Sequence, residues 1–414
     1  MMSSRLPLAA LRQFSAVALS ALLLAPLVQA DSIASPRLSM LEQAMQAQID
    51  DGHLAGIATL VYDNGEVTHR QQLGYQDIAS ETPLAEDTLY KIYSLTKPVT
   101  AVALLMLVEE GKLSLDDPLE QHLPQFKDLQ VAKSLDADPD NVPTEPATHA
   151  VTVRELMNYT GGFTYGRFTE SAVDTLYAQA DLFTRDITLE QLVDRVAEIP
   201  LRHQPGTRWH YSFSIDIQAR LVEVLSGQPY DEFLAERVLG PLGMTDTGYY
   251  VSADKAERLA TSYHPTDAGL QPMPQDEWLS KPTLIMGGSG LVSTMDDYLR
   301  FARMLLNEGE LDGERLLQPE TVQAMRSRQL PEGMSGPEWA PGNTFGLNVA
   351  VVDDSSPAGY LPEGTFWWWG IEGPWAWIDP DNQRIVMGMM QSTDFRHSRV
   401  VHNTVSHILF KPAE

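Results

Sequence analysis

Cysteine is absent from the 414-residue chain, which excludes disulfide bonds and thiolate metal sites. Positive charge is scarce: 29 lysines and arginines stand against 56 aspartates and glutamates, and the formal net charge is −27 at pH 7. A chain this acidic is a poor partner for nucleic acid and for anionic membrane surfaces. Internal repeats and low-complexity linkers are also missing. The composition favours a soluble protein and leaves its chemistry open.

Several common catalytic motifs are missing as well. The chain has no Gly-x-Ser-x-Gly, which disfavours a nucleophile-elbow hydrolase. It has no phosphate-binding loop, dinucleotide fingerprint or His-Glu-x-x-His motif. The ten histidines are scattered, and only His210 lies beside a candidate catalytic residue. We therefore expect neither a cofactor nor a metal ion.

Residues 15–27 form an apolar run that is too short to span a membrane comfortably, and no longer run follows it. Two arginines precede it, and the small-residue segment Val28-Gln29-Ala30 follows it. This order predicts a secretory signal over residues 1–30, cleaved near Ala30, and no membrane insertion afterwards. An exported chain without cysteine suggests a bacterial periplasm, or secretion, and a core that needs no cross-link.

Ser94-Leu95-Thr96-Lys97 places a hydroxyl and an amine three residues apart, where they share one face of a helix. Pro98 suits a first helical turn, and residues 99–108 are almost entirely apolar, which predicts a buried helix beginning near Ser94. Burial lowers the pKa of a lysine amine, so that the amine can take the serine proton. The pattern therefore predicts Ser94 as a nucleophile and Lys97 as its base.

The same four-residue pattern occurs a second time, as Ser252-Ala253-Asp254-Lys255. Glu257 and Arg258 follow it, so the stretch is charged rather than apolar. This context predicts a solvated turn or a helix cap instead of a nucleophile.

Two further segments can supply the remaining chemistry. Tyr211 precedes a predicted helix, where it could act as a phenolate base or a proton shuttle, although a core tyrosine is the alternative interpretation. Five tryptophans lie between residues 367 and 377 and predict an aromatic strand. Gly370 and Gly373 have no side chains, so a ligand or another backbone could approach this strand closely there. A backbone N–H group at that point could stabilise an oxyanion.

Strand patterns lie near both ends of the chain, and most helical patterns lie between them. The predicted strands are 56–62, 66–74, 346–352, 375–378 and 385–390; the predicted helices are 36–51, the helix that begins near residue 94, 151–157, 189–197, 215–225, 233–238 and 400–409. This order predicts an α/β (α+β) fold: an antiparallel sheet built from both termini, with flanking helices and an inserted, mainly helical domain. The α/β part would comprise about 31–110 and 285–414, and the helical part about 111–284. A site would lie in the cleft between them.

Taken in order, these segments resemble the serine β-lactamase-like superfamily, which has the class C β-lactamase and penicillin-binding-protein fold. The family VIII carboxylesterases are the most similar branch. The matching segments are 54–56 with 63–65, 94–98, 109–118, 152–157 with 159–162, 241–247 and 287–294. The resemblance implies that Ser94 is the acylated nucleophile, Lys97 its base and Tyr211 a second proton-transfer residue. It also implies an oxyanion hole formed by the backbone N–H groups of Ser94 and Ile371.

Two departures from the family pattern concern the substrate. Phe213 stands where class C β-lactamases have the asparagine of Tyr-x-Asn, and Trp368-Trp369-Gly370 stands where they have Lys-Thr-Gly. Without that lysine, an anionic β-lactam loses a fixed cation. We therefore expect a small-molecule ester as the substrate, bound near Phe213, Trp368, Trp369, Gly370 and Ile371.

Two other functions stay open at this point. A β-lactamase or D-amino-acid peptidase would act on cell-wall-like amides, and Phe213 and Trp368 argue against it. A penicillin-recognising protein without turnover is disfavoured because Ser94, Lys97 and Tyr211 are all present. The sequence does not predict the oligomeric state.

Overall fold

The computed structural model describes residues 32–412. The predicted secretory signal over 1–30 lies outside the described residues. Within the described range, no helix combines the length and the apolarity that a bilayer span requires.

An antiparallel sheet of eight strands organises the fold. In chain order, the strands of the molecule are β1 (Gly56–Asp63), β2 (Glu66–Asp77), β3 (Thr82–Pro83), β4 (Tyr90–Lys91), β5 (Gln130–Ala132), β6 (Thr144–Pro146), β7 (Tyr263–Thr266), β8 (Gly269–Pro272), β9 (Val292–Ser293), β10 (Glu310–Leu311), β11 (Glu314–Arg315), β12 (Asn343–Phe345), β13 (Ala350–Val352), β14 (Phe366–Trp369), β15 (Trp375–Asp379) and β16 (Arg384–Met390). The large sheet has the order β12-β13-β14-β15-β16-β1-β2-β3, and the other strands form two-stranded pairs. Its strands therefore come from both ends of the described chain, and the predicted fold class is confirmed.

Ten α-helices lie around this sheet, or between its strands in the sequence, within residues 32–412. They are α1 (Ser35–Asp50), α2 (Thr96–Glu109), α3 (Val153–Met157), α4 (Ala172–Gln179), α5 (Leu189–Ala197), α6 (Ser214–Ser226), α7 (Tyr230–Leu234), α8 (Met295–Leu306), α9 (Pro319–Met325) and α10 (Phe395–Phe410). Helices α1 and α10 pack on one face of the sheet, and α8 packs on the other. The alternation of side chains along β1 explains this arrangement: Ile57 and Val61 face one layer, and Ala58 and Leu60 face the other.

Helix α2 is buried over almost its whole length because nearly all its residues are apolar. It packs against α6 in the middle of the molecule. The chain leaves α2 through Gly111, whose φ of +70° is a left-handed conformation that glycine adopts without strain. A 3₁₀ turn at Tyr93–Leu95 precedes the helix, so Ser94 lies just before α2 rather than inside it.

The structure differs from the prediction in some of its elements. Helices α4, α8 and α9 were not predicted, although Thr294 caps α8 by accepting the Asp297 N–H, which is a recognisable start signal. The predicted strand 346–352 is a strand only over Ala350–Val352, because Leu347 donates its N–H to the Met325 carbonyl instead of to a neighbouring strand. The boundaries proposed for the helical part stay a prediction.

Candidate active site

The 3₁₀ turn before α2 holds Ser94 half-buried at the wall of a large pocket. Tyr93 has a φ of +44°, which is uncommon for a residue with a side chain and costs about 1–3 kcal/mol where the surrounding structure enforces it. A hydrogen bond offsets part of that cost: the Tyr93 hydroxyl donates to Glu372 Oε1 at 2.7 Å. Glu372 also accepts from the Ser262 hydroxyl at 2.5 Å. The strained turn is therefore tied to the loop that follows β14.

Lys97 extends from the first turn of α2 toward Ser94. Its Nζ lies 3.2 Å from Ser94 Oγ and donates to the Gly288 carbonyl at 2.7 Å. The side chain is only 2% exposed, and its Nζ lies 4.7 Å from the centre of the Tyr211 ring. Burial lowers the pKa of Lys97 to about 7, although the nearby Asp216 carboxylate opposes this effect. A substantial fraction of the amine is thus neutral at neutral pH and able to accept a proton.

Asp216 was not among the residues predicted for the site. It lies in the first turn of α6, fully buried, and accepts the Gly288 N–H at 3.0 Å. Burial raises its pKa, and the positive charge of Lys97 counteracts that shift. Gly288 therefore bridges the two groups: its carbonyl binds Lys97, and its N–H binds Asp216. A clue in the sequence was available, because Asp216 is an acid between two isoleucines at the start of an apolar helix face.

Tyr211 completes the group around the serine. Its hydroxyl oxygen lies 2.8 Å from Ser94 Oγ, and its ring lies 5.7 Å from that of Trp368. Burial raises the pKa of Tyr211 far above its usual value. The residue is therefore a neutral phenol at pH 7, which fits a proton donor or shuttle and argues against a phenolate base.

The tryptophan-rich strand β14 ends beside the nucleophile turn. Gly370 follows the strand, and a β-carbon at this position would lie only 2.4 Å from the Ile92 carbonyl oxygen. The glycine thus permits the close backbone approach that the sequence suggested, and the partner is the turn that carries Ser94. Ile371 is 40% exposed and lines the pocket, and its backbone N–H finds no acceptor within residues 32–412.

The pocket has a volume of about 1090 Å³, and Phe, Tyr and Trp make up about a third of the residues that line it. Ser94, Lys97, Tyr211, Trp368, Trp369 and Ile371 all line it, whereas Gly370 and Phe213 do not. Phe213 is fully buried, with its ring 4.7 Å from that of Tyr165 and 5.0 Å from that of Phe183. The expectation that Phe213 contacts the substrate therefore needs correction: its side chain packs behind the wall, because the start of α6 points it into the core.

Comparison with known proteins identifies the family. The β-lactamase family model matches residues 41–408. The chain belongs to the β-lactamase family. The resemblance to the serine β-lactamase and penicillin-binding-protein superfamily is therefore confirmed.

Individual relatives within the β-lactamase family include esterases. An uncharacterized protein of Mycobacterium tuberculosis is 37% identical over 358 residues, covering 83% of this chain and 87% of the relative. Esterase EstB of Burkholderia gladioli is 31% identical over 375 residues, covering 85% of this chain and 88% of EstB. The solved structure of EstCE1, a hydrolase with promiscuous acyltransferase activity, has a TM-score of 0.78 at 26% identity and covers 91% of this chain and 100% of its own. These relatives support assignment of this β-lactamase family member as a serine hydrolase.

The second copy of the four-residue pattern lies outside this β-lactamase-family site. Ser252 immediately precedes a 3₁₀ helix, Ala253–Arg258. Lys255 forms a salt bridge of 2.7 Å with Asp246, and its side chain is partly exposed. The prediction of a solvated surface segment is confirmed.

Replacing Asp216 with asparagine should shift the pH dependence of turnover. The carboxylate raises the pKa of Lys97, so its removal should lower that pKa and move the acid limb of kcat/KM to lower pH. The amide oxygen can still accept the Gly288 N–H. The measurement is a pH profile of ester hydrolysis, with Asp267→Asn, in the exposed turn between β7 and β8, as the control. An acid limb that stays in place would show that Asp216 does not tune Lys97.

Replacing Gly370 with alanine should separate β14 from the nucleophile turn. The new methyl group would meet the Ile92 carbonyl oxygen at 2.4 Å, so the strand end has to move. We expect a loss of about 1–3 kcal/mol in unfolding free energy and a lower kcat. Urea unfolding and steady-state kinetics measure the two effects. Gly248→Ala is the matched control, because its β-carbon would meet only one atom, at 4.0 Å. Equal behaviour of the two variants would contradict the prediction.

Proposed function

We propose that the protein is a carboxylesterase of the family VIII type that cleaves small-molecule esters through an acyl-enzyme on Ser94. The observation that carries the proposal is the placement of Ser94 Oγ, 3.2 Å from Lys97 Nζ and 2.8 Å from Tyr211 Oη, at the wall of a pocket of about 1090 Å³. A nucleophile within reach of both a base and a neutral hydroxyl donor has what acyl transfer requires.

Acylation begins with neutral Lys97 accepting the proton of Ser94. The Ser94 oxygen attacks the ester carbonyl carbon, and the carbonyl π electrons move to the oxygen. The backbone N–H groups of Ser94 and Ile371 then bind this oxyanion. The Ile371 N–H is available for this role because it has no acceptor within residues 32–412. The tetrahedral intermediate collapses and breaks the bond to the alcohol. Tyr211 donates a proton to the leaving oxygen and recovers one from protonated Lys97.

Deacylation repeats these steps with water as the nucleophile. Lys97, again neutral, takes a proton from the water as it attacks the acyl carbon. Collapse of the second intermediate returns the proton to Ser94 Oγ and releases the acid. The Gly288 carbonyl holds the lysine in place through both halves of the cycle, because it does not compete for the amine's lone pair.

Several features support esters over amides. An alcohol is a better leaving group than an amine, so a tyrosine with a raised pKa suffices as its proton donor. Trp368 occupies the position of the family's lysine, and aromatic side chains form much of the pocket wall. The name of the relative EstB, an esterase, points in the same direction.

A panel of three substrates tests the proposal: p-nitrophenyl butyrate, nitrocefin and a D-alanyl peptide. We expect turnover of the ester and slow or no turnover of the two amides. Fast hydrolysis of nitrocefin or the peptide without ester turnover would assign the protein to the β-lactamases or D-amino-acid peptidases. Binding of all three without turnover would mean a recognition protein.

We also propose that the protein is exported, since residues 1–30 have the order of a secretory signal. Amino-terminal sequencing of the protein from a periplasmic fraction tests this, and a mature chain that begins near residue 31 is the expected result. Recovery of the uncleaved chain from the cytoplasm would refute the proposal.

A further inference from the structure

The pocket is rich in arginine although the chain as a whole is strongly acidic. The net charge of the chain is −27, yet five arginines line this one pocket: Arg167, Arg185, Arg202, Arg208 and Arg399. A cleft lined by one sign of charge attracts ligands of the opposite sign even when the whole molecule repels them. The partners of these arginines decide how much of that charge is free to act on a ligand.

Two of the five have carboxylate partners. Arg185 pairs with Glu277 at 3.2 Å, and Glu277 also lines the pocket. Arg202 forms an ion pair with the buried Asp174. These two pairs are close to electrically neutral and contribute little attraction for an anion.

Arg399 is held by a backbone carbonyl whose neighbour in sequence is an acid. Its guanidinium donates to the Trp339 carbonyl at 2.7 Å, and the adjacent Glu338 lines the same pocket. Arg399 therefore has one hydrogen-bond partner already, and an acid contributes to the same pocket lining.

Arg167 and Arg208 differ from the other three. Both are exposed, and within residues 32–412 neither makes a hydrogen bond or a salt bridge. The Arg167 guanidinium lies 3.7 Å from the centre of the Phe183 ring, which orients it while its N–H groups stay free. Arg208 is close enough to His203 and His210 that its charge helps burial to lower their pKa values. Both histidines are therefore neutral at pH 7.

We propose that Arg167 and Arg208 bind an anionic group of the substrate, so that the preferred esters carry a carboxylate at a distance from the scissile bond. This inference rests on the esterase function proposed above. Guanidinium groups with free N–H donors bind a carboxylate through paired hydrogen bonds. These two arginines would supply a positive charge in the pocket that the strand lacks at Trp368.

The positions of the aromatic rings set the approximate length of such a substrate. Phe183, on which Arg167 stacks, lies 6.1 Å from the Tyr165 ring, and Tyr165 lies 4.9 Å from the Tyr211 ring. Two rings thus separate the guanidinium of Arg167 from the reacting centre. We therefore expect a chain of several carbon atoms between the ester and the carboxylate, as in a monoester of a dicarboxylic acid.

Two matched pairs of esters test the inference and locate the anion. Mono-4-nitrophenyl adipate is compared with its methyl ester, which places the carboxylate in the acyl half. 4-Butyryloxybenzoate is compared with its methyl ester, which places it in the alcohol half. We expect kcat/KM to be higher for the anionic member of at least one pair, by about five- to twentyfold, which two partly exposed ion pairs can supply. The preference should decrease at high salt.

The double variant Arg167→Gln/Arg208→Gln should reduce the ratio of anionic to neutral kcat/KM by a similar factor. Arg315→Gln removes the same charge from β11, outside the pocket, and should leave the ratio unchanged. Equal ratios in the wild type and the double variant, or a preference for the neutral ester in both pairs, would overturn this inference and leave the esterase function standing. If none of the four esters is hydrolysed, the esterase function is overturned, and this inference falls with it.

Discussion

Ser94→Ala should lower kcat for p-nitrophenyl butyrate by at least about 10³-fold, because the variant has no atom to form the acyl-enzyme. The substitution removes one oxygen from a half-buried turn, so the fold should persist. Steady-state kinetics measure the loss, and circular dichroism checks the fold. A fluorophosphonate should add mass to the peptide that contains Ser94 in the wild type, and no adduct should form there in the variant.

The chain supplies its own matched control for this experiment. Ser252→Ala alters the serine of the second Ser-x-x-Lys pattern, which lies on the surface away from the pocket. It should leave both turnover and labelling at their wild-type levels. Ester hydrolysis that survives Ser94→Ala at a comparable rate would refute the assignment of the nucleophile.

Lys97→Ala should lower kcat by about 10²- to 10⁴-fold, the usual contribution of a positioned general base. In the wild type, kcat/KM should rise with pH through the pKa of Lys97, about 7, because only the neutral amine accepts the serine proton. This acid limb should disappear from the residual activity of the variant. The measurement is a pair of pH–rate profiles in buffers of constant ionic strength.

Lys255→Ala is the corresponding control, because Lys255 is paired with Asp246 at the surface. It should retain both the rate and the acid limb. A near-normal rate for Lys97→Ala would mean that Tyr211 acts as the base in spite of its raised pKa. That outcome would require a mechanism in which the tyrosine ionises on substrate binding.

The sequence was sufficient to predict the nucleophile helix and the sheet. Pro98 and the apolar run after it identified a buried helix, because a chain without polar side chains on any face has to be surrounded by protein. The alternating strands near both termini predicted one antiparallel sheet. Both inferences use the local pattern of apolar residues, which is visible along the chain without knowledge of tertiary contacts.

The partners of Lys97 could not be predicted from the sequence. Asp216 and Gly288 lie 119 and 191 residues further along the chain, counted from position 97. Nothing in their local sequence indicates that they meet the lysine, and a buried acid in an apolar helix face has several possible explanations. Phe213 is the opposite case. Its position in a family motif suggested substrate contact, but its side chain is buried behind the pocket wall.

The available residue types and the buried segments thus follow from the order of amino acids alone: a Ser-x-x-Lys pattern before an apolar helix, a tyrosine before another helix, and a glycine at the end of a tryptophan strand. The chemistry of these residues follows from their arrangement in the folded protein. The pKa of Lys97 depends on burial and on the distance to Asp216, the state of Tyr211 depends on burial, and the free charge of Arg167 and Arg208 depends on which carboxylates lie near. Solvation and Coulomb energies depend on distances through space, and those distances exist only once the chain has folded.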